Sequence, residues 1–361
     1  MDNNNIVQKT AIIAITKKGI GLAKQIQTIL DASDVYAPDK FNDSNNKITF
    51  FKEPVSQKIG TLFSNYSSLV CIFSLGAVIR LISPFLKDKK SDPAVIVIDD
   101  TAKFVISTLS GHLGGANELT LKLSNFLHSI AVITTAADVN NTIAIDLLGK
   151  KFGWEIEDFK NVTRVSAMMV NEEKIGVYQD TGEKNWWDMD NLPKNVIIVS
   201  DKNDLLSDEI KGAIIISDKT ISDKVLLEKS VIYRPKSLVV GVGLHWNTTE
   251  ETIRTGIQKV FEESNLSFKS IRAITSLEKG KRIRGLDEFC QRNNFPLILF
   301  HRDELDKISV PNPSEIVGKF EGTSSVSEAS SIAGSKGNLI VPKYKFPPDL
   351  TVAISRVNKY D

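Results

Sequence analysis

Between residues 11 and 134, short apolar runs alternate with stretches whose apolar positions recur at helical spacing. Ala11 to Thr16, Ile48 to Phe51, Leu69 to Phe73, Ala94 to Ile98, Phe104 to Ile106 and Ala131 to Thr134 are predicted strands. Lys17 to Leu30 and Val55 to Phe63 are predicted helices. So are a segment opened by Gly76, with Val78, Leu81, Ile82 and Phe85 on one face, and one led by Gly114 and Gly115, with Ala116, Leu119, Leu123 and Phe126. Strands alternating with helices imply a largely parallel sheet.

The middle of the chain is less periodic. Lys174 to Gln179, Val196 to Ser200 and Ala213 to Ser217 read as strands. Asp180 to Ile210 carries eight acidic residues against three basic ones, a solvated face pinned by one aromatic of the Trp186-Trp187 pair. Tyr233 to Ser237 reads as a linker. Beyond it, a strand at Leu238 to Gly243 precedes a helix whose capping box is assigned to Thr248 and Glu251, with Ile253, Ile257, Val260 and Phe261 inward. Strands at Ile271 to Thr275, Pro296 to Phe300, Asn338 to Val341 and Thr351 to Ser355 follow, with helices at Gly285 to Cys290 and Val326 to Ala333. The expected fold class is α/β: three consecutive α/β domains with largely parallel sheets and a substrate crevice at the strand carboxyl ends. Their bounds are set at 1–135, 136–235 and 236–361.

Composition narrows the function. At 361 residues the chain exceeds one ordinary domain of about 150. Lys and Arg total 45 against 44 Asp and Glu, a net charge of +1, which argues against polyelectrolyte partners such as nucleic acid. Cys71 sits in an apolar run and Cys290 ends a helix, so neither a disulfide framework nor a Cys-x-x-Cys metal site is expected. The polar start Met1-Asp2-Asn3-Asn4-Asn5 and the lack of a long apolar run imply no membrane partner and a cytoplasmic location.

Two glycine turns resemble nucleotide loops and fail the pattern. Gly19-Ile20-Gly21 is followed by Leu22-Ala23-Lys24, and Gly241-Val242-Gly243 by Leu244-His245-Trp246, so the third glycine is absent from both. The informative segment is Ser107 to Glu118. It gathers Ser110, Gly111, His112, Gly114, Gly115, Asn117 and Glu118 between a strand and a helix. His112 titrates naturally near neutral pH, and Glu118 in a first helical turn is favoured as a carboxylate. The alternative is a glycine turn that only packs closely, with His112 a satisfied turn residue. Arg80, Lys87 and Lys90 could face the same crevice, where guanidinium and ammonium groups would suit carboxylates. Lys279, Lys281, Arg282 and Arg284 form a second basic run, without the interleaved aromatics that nucleic acid would need.

Gly76 to Pro84, Asp92 to Asp99, Phe104 to Ser107 and Ser110 to Glu118 resemble the amino-terminal domain of the cobalt-precorrin-5A hydrolase family. The carboxy-terminal segments Gly241-Val242-Gly243, Thr275-Ser276 with Lys279, Pro313-Ser314, Ser325 to Ala329 and Thr351 to Arg356 resemble the family's other end. The family often carries Cys-Arg-Arg after the second glycine turn, where this chain has Leu244-His245-Trp246. The resemblance implies opening of the δ-lactone of cobalt-precorrin-5A and release of acetaldehyde, giving cobalt-precorrin-5B in cobalamin biosynthesis. It implies a tetrapyrrole partner and no protein cofactor, the cobalt being carried by the substrate. It leaves open a homo-oligomer and transient contact with neighbouring cobalamin-pathway enzymes. The expected roles are His112 or Glu118 as base, with Ser110 and the N–H groups of Gly114 and Gly115 supporting an oxyanion beside Gly111. Asn117 would orient water or carbonyl, and Arg80, Lys87 and Lys90 would hold peripheral carboxylates. The rival is a non-catalytic corrinoid carrier using the same residues.

Overall fold

The computed structural model describes residues 9–43, 47–88, 91–112, 114–135, 142–187, 191–313 and 325–358. The chain divides into two compact units, Met1–Leu147 and Leu148–Asp361. Among the described residues there are three sheets, one in the first unit and two in the second.

The first unit is built on seven strands: β1 (Thr10–Ala14), β2 (Ser33–Pro38), β3 (Ile48–Phe51), β4 (Ser68–Ile72), β5 (Ala94–Ile98), β6 (Phe104–Leu109) and β7 (Ile130–Val132). Their order is β3-β2-β1-β4-β5-β6-β7. Helices α1 (Lys17–Gln27), α2 (Val55–Asn65), α3 (Leu75–Ile82) and α4 (Ala116–Leu127) cover both faces. Alternate strand residues serve opposite faces. Ile12, Val70 and Ile96 pack with Ile20, Ala23 and Leu123 of α1 and α4. Ala11, Leu69 and Val95 pack with Ile59, Leu62 and Val78 of α2 and α3. Burial on both faces explains why these strands read as unbroken apolar runs.

The direction of β6 decides where the chemistry lies. β1 to β5 run parallel, whereas β6 pairs antiparallel with β5, and β7 is parallel to β6. The segment following β6 therefore lies beyond the carboxyl ends of β6 and β7, at the edge where β1 to β5 begin. This corrects the simpler picture of one common carboxyl edge. The turn into β6 is fixed by Asp99, whose carboxylate accepts from the backbone N–H groups of Thr101 (2.9 Å) and Phe104 (2.7 Å). Burial works to raise that carboxyl's pKa, but the Thr101 hydroxyl and these backbone donors hold it below its ordinary value.

In the second unit, β8 (Glu155–Ile156), β9 (Ile175–Gln179), β10 (Val196–Val199), β11 (Gly212–Ile216) and β12 (Ser230–Arg234) form a sheet in the order β10-β9-β11-β12-β8. Only β8 is antiparallel to its neighbour. Helices α5 (Val162–Val170) and α6 (Lys224–Lys229) accompany it. The expected linker begins inside β12: Tyr233 and Arg234 are buried strand residues, not connecting chain. The second sheet, β15-β14-β13-β17-β16, comprises β13 (Leu238–Leu244), β14 (Ile271–Leu277), β15 (Leu297–Phe300), β16 (Asn338–Phe346) and β17 (Leu350–Arg356). Helices α7 (Glu250–Glu263), α8 (Arg284–Asn293) and α9 (Val326–Ser335) flank it. β13, β14 and β15 are parallel, while β17 and β16 return antiparallel.

The cap of α7 is Thr249, which accepts from the Thr252 N–H, rather than Thr248. The Thr248 hydroxyl instead lies 2.9 Å from the carbonyls of both His245 and Asp349, between which its one proton is shared. The two sheets of this unit are joined by charge. Asp218, fully buried, receives the guanidinium of Arg356 at 2.7 and 2.8 Å and the hydroxyl of Ser237 at 2.7 Å. Cys71 and Cys290 are free and buried, and burial pushes both thiols up to about 12.

Candidate functional site

The segment from Ser110 to Glu118 is folded back on itself. Ser110 takes a left-handed conformation (φ 55°), and Gly115, the residue capping α4, does so at φ 86°. A Cβ on Gly114 would stand 2.4 Å from the Ser110 Cβ and 2.7 Å from its carbonyl oxygen. A Cβ on Gly111 would meet the Asn117 amide oxygen at 2.7 Å. The Ala116 N–H donates to the Ser110 carbonyl (3.2 Å), and the Asn117 N–H to that of Gly111 (2.9 Å). Close approach therefore requires glycine at 111 and 114, and backbone conformation favours it at 115.

Three of the expected catalytic groups are committed to holding this loop. The Ser110 hydroxyl donates to the Asp92 carbonyl (2.9 Å), tying the loop to the entry of β5. The Asn117 amide, nearly buried, accepts from Ser107 (2.6 Å) and donates to Thr135 (3.0 Å) beyond β7. The Gly115 N–H donates to the His112 carbonyl (3.0 Å). A hydroxyl has one proton and an amide N–H one donor direction, so in this structure both donors are engaged in bracing the loop. Asn117 likewise positions the loop.

His112 is placed differently. Its Nδ1 lies 3.2 Å from Oδ1 of Asp146, with side chains only 13% and 21% exposed. A carboxylate beside Nδ1 favours a proton on that nitrogen. Asp146 was missed in the sequence because it stands 34 residues from His112, in a stretch to which no helix or strand was assigned. Glu118 is exposed in the first turn of α4. Asp92, adjoining the loop, accepts the Lys87 backbone N–H on both carboxylate oxygens at 3.1 Å. This brings the Lys87 segment to the same edge, with its side chain exposed. Arg80 is exposed in the last turn of α3, a helix that starts at the opposite edge after β4 and leads back toward β5. Among the described residues, no hydrogen bond or ion pair joins Arg80 to the 110–118 segment. Lys90 lies outside the described residues.

Comparison with known proteins bears on the whole chain. Residues 57–138 match the family described as cobalamin synthesis G N-terminal, 143–235 the cobalamin biosynthesis central region, and 238–355 the cobalamin synthesis G C-terminus. A cobalt-precorrin-5A hydrolase of Priestia megaterium is 39% identical over 353 residues, covering 96% of this chain and 94% of that protein. The chain belongs to the cobalt-precorrin-5A hydrolase family. A second member, from Salmonella typhimurium, is 28% identical over 342 residues, covering 92% of this chain and 93% of its own. Among solved structures, a cobalamin biosynthesis protein G homolog from Sulfolobus solfataricus aligns over 98% of each chain at 22% identity, with a TM-score of 0.38. In this hydrolase-family chain, no described helix is long and apolar enough to cross a membrane, and no described group of His, Cys, Asp or Glu is arranged to hold a metal ion.

Proposed function

We propose that this chain hydrolyses cobalt-precorrin-5A, opening its δ-lactone and releasing acetaldehyde to give cobalt-precorrin-5B. The observation that carries the catalytic reading is the His112–Asp146 pair, held against a glycine loop in a protein closely related over its full length to a cobalt-precorrin-5A hydrolase. His112 Nε2 takes a proton from water as the oxygen attacks the lactone carbonyl, and Asp146 stabilises the imidazolium that forms. The Gly114 N–H is the loop donor assigned to the developing oxyanion. Collapse of the tetrahedral intermediate breaks the acyl C–O bond and frees the ring oxygen as an alcohol. Loss of that hydroxyl's proton then drives a retro-aldol cleavage. The C–O electron pair becomes the aldehyde carbonyl, and the pair from the broken C–C bond enters the conjugated macrocycle, which is then protonated. One water is consumed and one acetaldehyde leaves.

Glu118 is the second candidate base, exposed at the positive end of α4. Arg80, Lys87 and Lys90 are assigned to peripheral carboxylates of the tetrapyrrole, which would bring its cobalt with it. No further cofactor enters the scheme. We assign the reaction to the cytoplasm. Incubating the full chain with cobalt-precorrin-5A tests the reading: equimolar free acetaldehyde supports it, and binding without release would make the protein a corrinoid carrier instead.

A further inference from the structure

The Gly241-Val242-Gly243 segment, expected as a glycine turn, instead lies inside β13, where its glycines have a packing purpose. A Cβ on Gly241 would stand 1.9 Å from the Ser327 carbonyl oxygen, and one on Gly243 would lie 3.6 Å from the Val326 Cβ. The missing side chains thus let the first turn of α9 press against the end of β13. The sequence Ser325-Val326-Ser327-Glu328 at that point reads as a capping box, yet neither arm of the box forms. Ser325, the capping residue, makes no side-chain bond to the helix. Glu328 turns to other donors, accepting from the backbone N–H and side-chain amide of Asn312 (3.2 and 2.9 Å) and the backbone N–H of Lys343 (2.9 Å).

Among the described residues, the hydroxyls of Ser325 and Ser327 are buried without a partner, on residues 1% and 0% exposed. A buried hydroxyl without a hydrogen-bond partner is costly, and here two share one turn at the positive end of a helix. A cation adjoins this edge. Leu277, the last residue of β14, packs with Val326 in one apolar cluster. Two residues on, Lys279 donates to the Leu244 carbonyl (2.9 Å) and lies 5.3 Å from the centre of the half-exposed Trp246 ring. Glu278, the acid between them, is paired with His301 at 2.9 Å.

We infer that the amino end of α9, with Ser325 and Ser327, is an anion site that takes a peripheral carboxylate of an acidic tetrapyrrole. The naming of the tetrapyrrole rests on the function proposed above. The hydroxyls and the helix dipole meet the carboxylate, Lys279 adds charge at the same edge, and Trp246 offers a flat apolar surface.

The test uses the full chain and cobyrinic acid, a corrinoid with free carboxylates, with its heptamethyl ester as the uncharged control. Binding is read from quenching of tryptophan fluorescence. Ser325→Ala with Ser327→Ala should weaken cobyrinic acid binding by about tenfold, leave the ester's weaker binding unchanged, and not lower the melting temperature. Unchanged affinity for the acid would overturn the inference. A fall in melting temperature would do so too, because it would show the hydroxyls bonded within the fold. Inorganic phosphate protecting the protein as well as cobyrinic acid would replace the tetrapyrrole by a generic oxyanion. If the wild type released no acetaldehyde but the serine variant still lost affinity for cobyrinic acid, the proposed reaction would fall and this site would stand.

Discussion

Replacing Asp146 by Asn removes the charge that faces His112 while keeping the size of the side chain. The two groups are 3.2 Å apart and mostly shielded from water, so solvent screens their interaction only in part. A hydrogen bond to a charged group contributes about 1.5–3 kcal/mol, and more of it is expressed when the imidazole becomes cationic in the transition state. At roughly 1.4 kcal/mol per factor of ten, Asp146→Asn should lower kcat by about 10- to 150-fold with KM little changed. The assay is acetaldehyde release from cobalt-precorrin-5A, followed by reduction of the aldehyde with a dehydrogenase and NADH. A KM-only effect would mean that Asp146 shapes binding, and a rate within threefold of wild type would refute its role in positioning the base.

Other consequences follow from packing and charge. Gly114→Ala forces a Cβ to within 2.4 Å of Ser110, so it should cost about 1–3 kcal/mol and most of the activity. By contrast, Gly76→Ala, where a Cβ meets nothing within 4 Å, should leave thermal stability level or slightly raised. Asp218→Ala removes the fully buried carboxylate that receives Arg356 and Ser237 and should destabilise the second unit by about 3–5 kcal/mol in denaturant unfolding. Asp34 is opposed by burial but held below its ordinary pKa by Lys9 and the Tyr66 hydroxyl. Its contribution is therefore complete above the unfolded carboxyl value of about 4 and disappears as pH falls through the lower folded value. The stability gap between wild type and Asp34→Asn should be widest at neutral pH and close in acid.

Much of the first unit is legible from apolar runs because its central strands are buried on both faces. β2 is not, since Ser33, Asp34 and Pro38 dilute its pattern and its place depends on parallel pairing with β1 and β3. The direction of β6 was legible but unread: the turn from Asp99 to Lys103 is far shorter than the dozen or so residues a parallel crossover needs. The site splits along the same line. Local chemistry singled out His112, Ser110 and Asn117, but only the fold shows that Ser110 and Asn117 are fastened to Asp92, Ser107 and Thr135. Asp146 reaches His112 through tertiary structure alone, which no spacing rule reveals.

The most direct test is a single-turnover measurement of acetaldehyde from cobalt-precorrin-5A with wild type and His112→Ala, alongside binding of the same substrate. The account predicts one acetaldehyde per substrate from wild type and a rate about 10²- to 10⁴-fold lower from the variant, with binding preserved. Near-normal release by His112→Ala would contradict it.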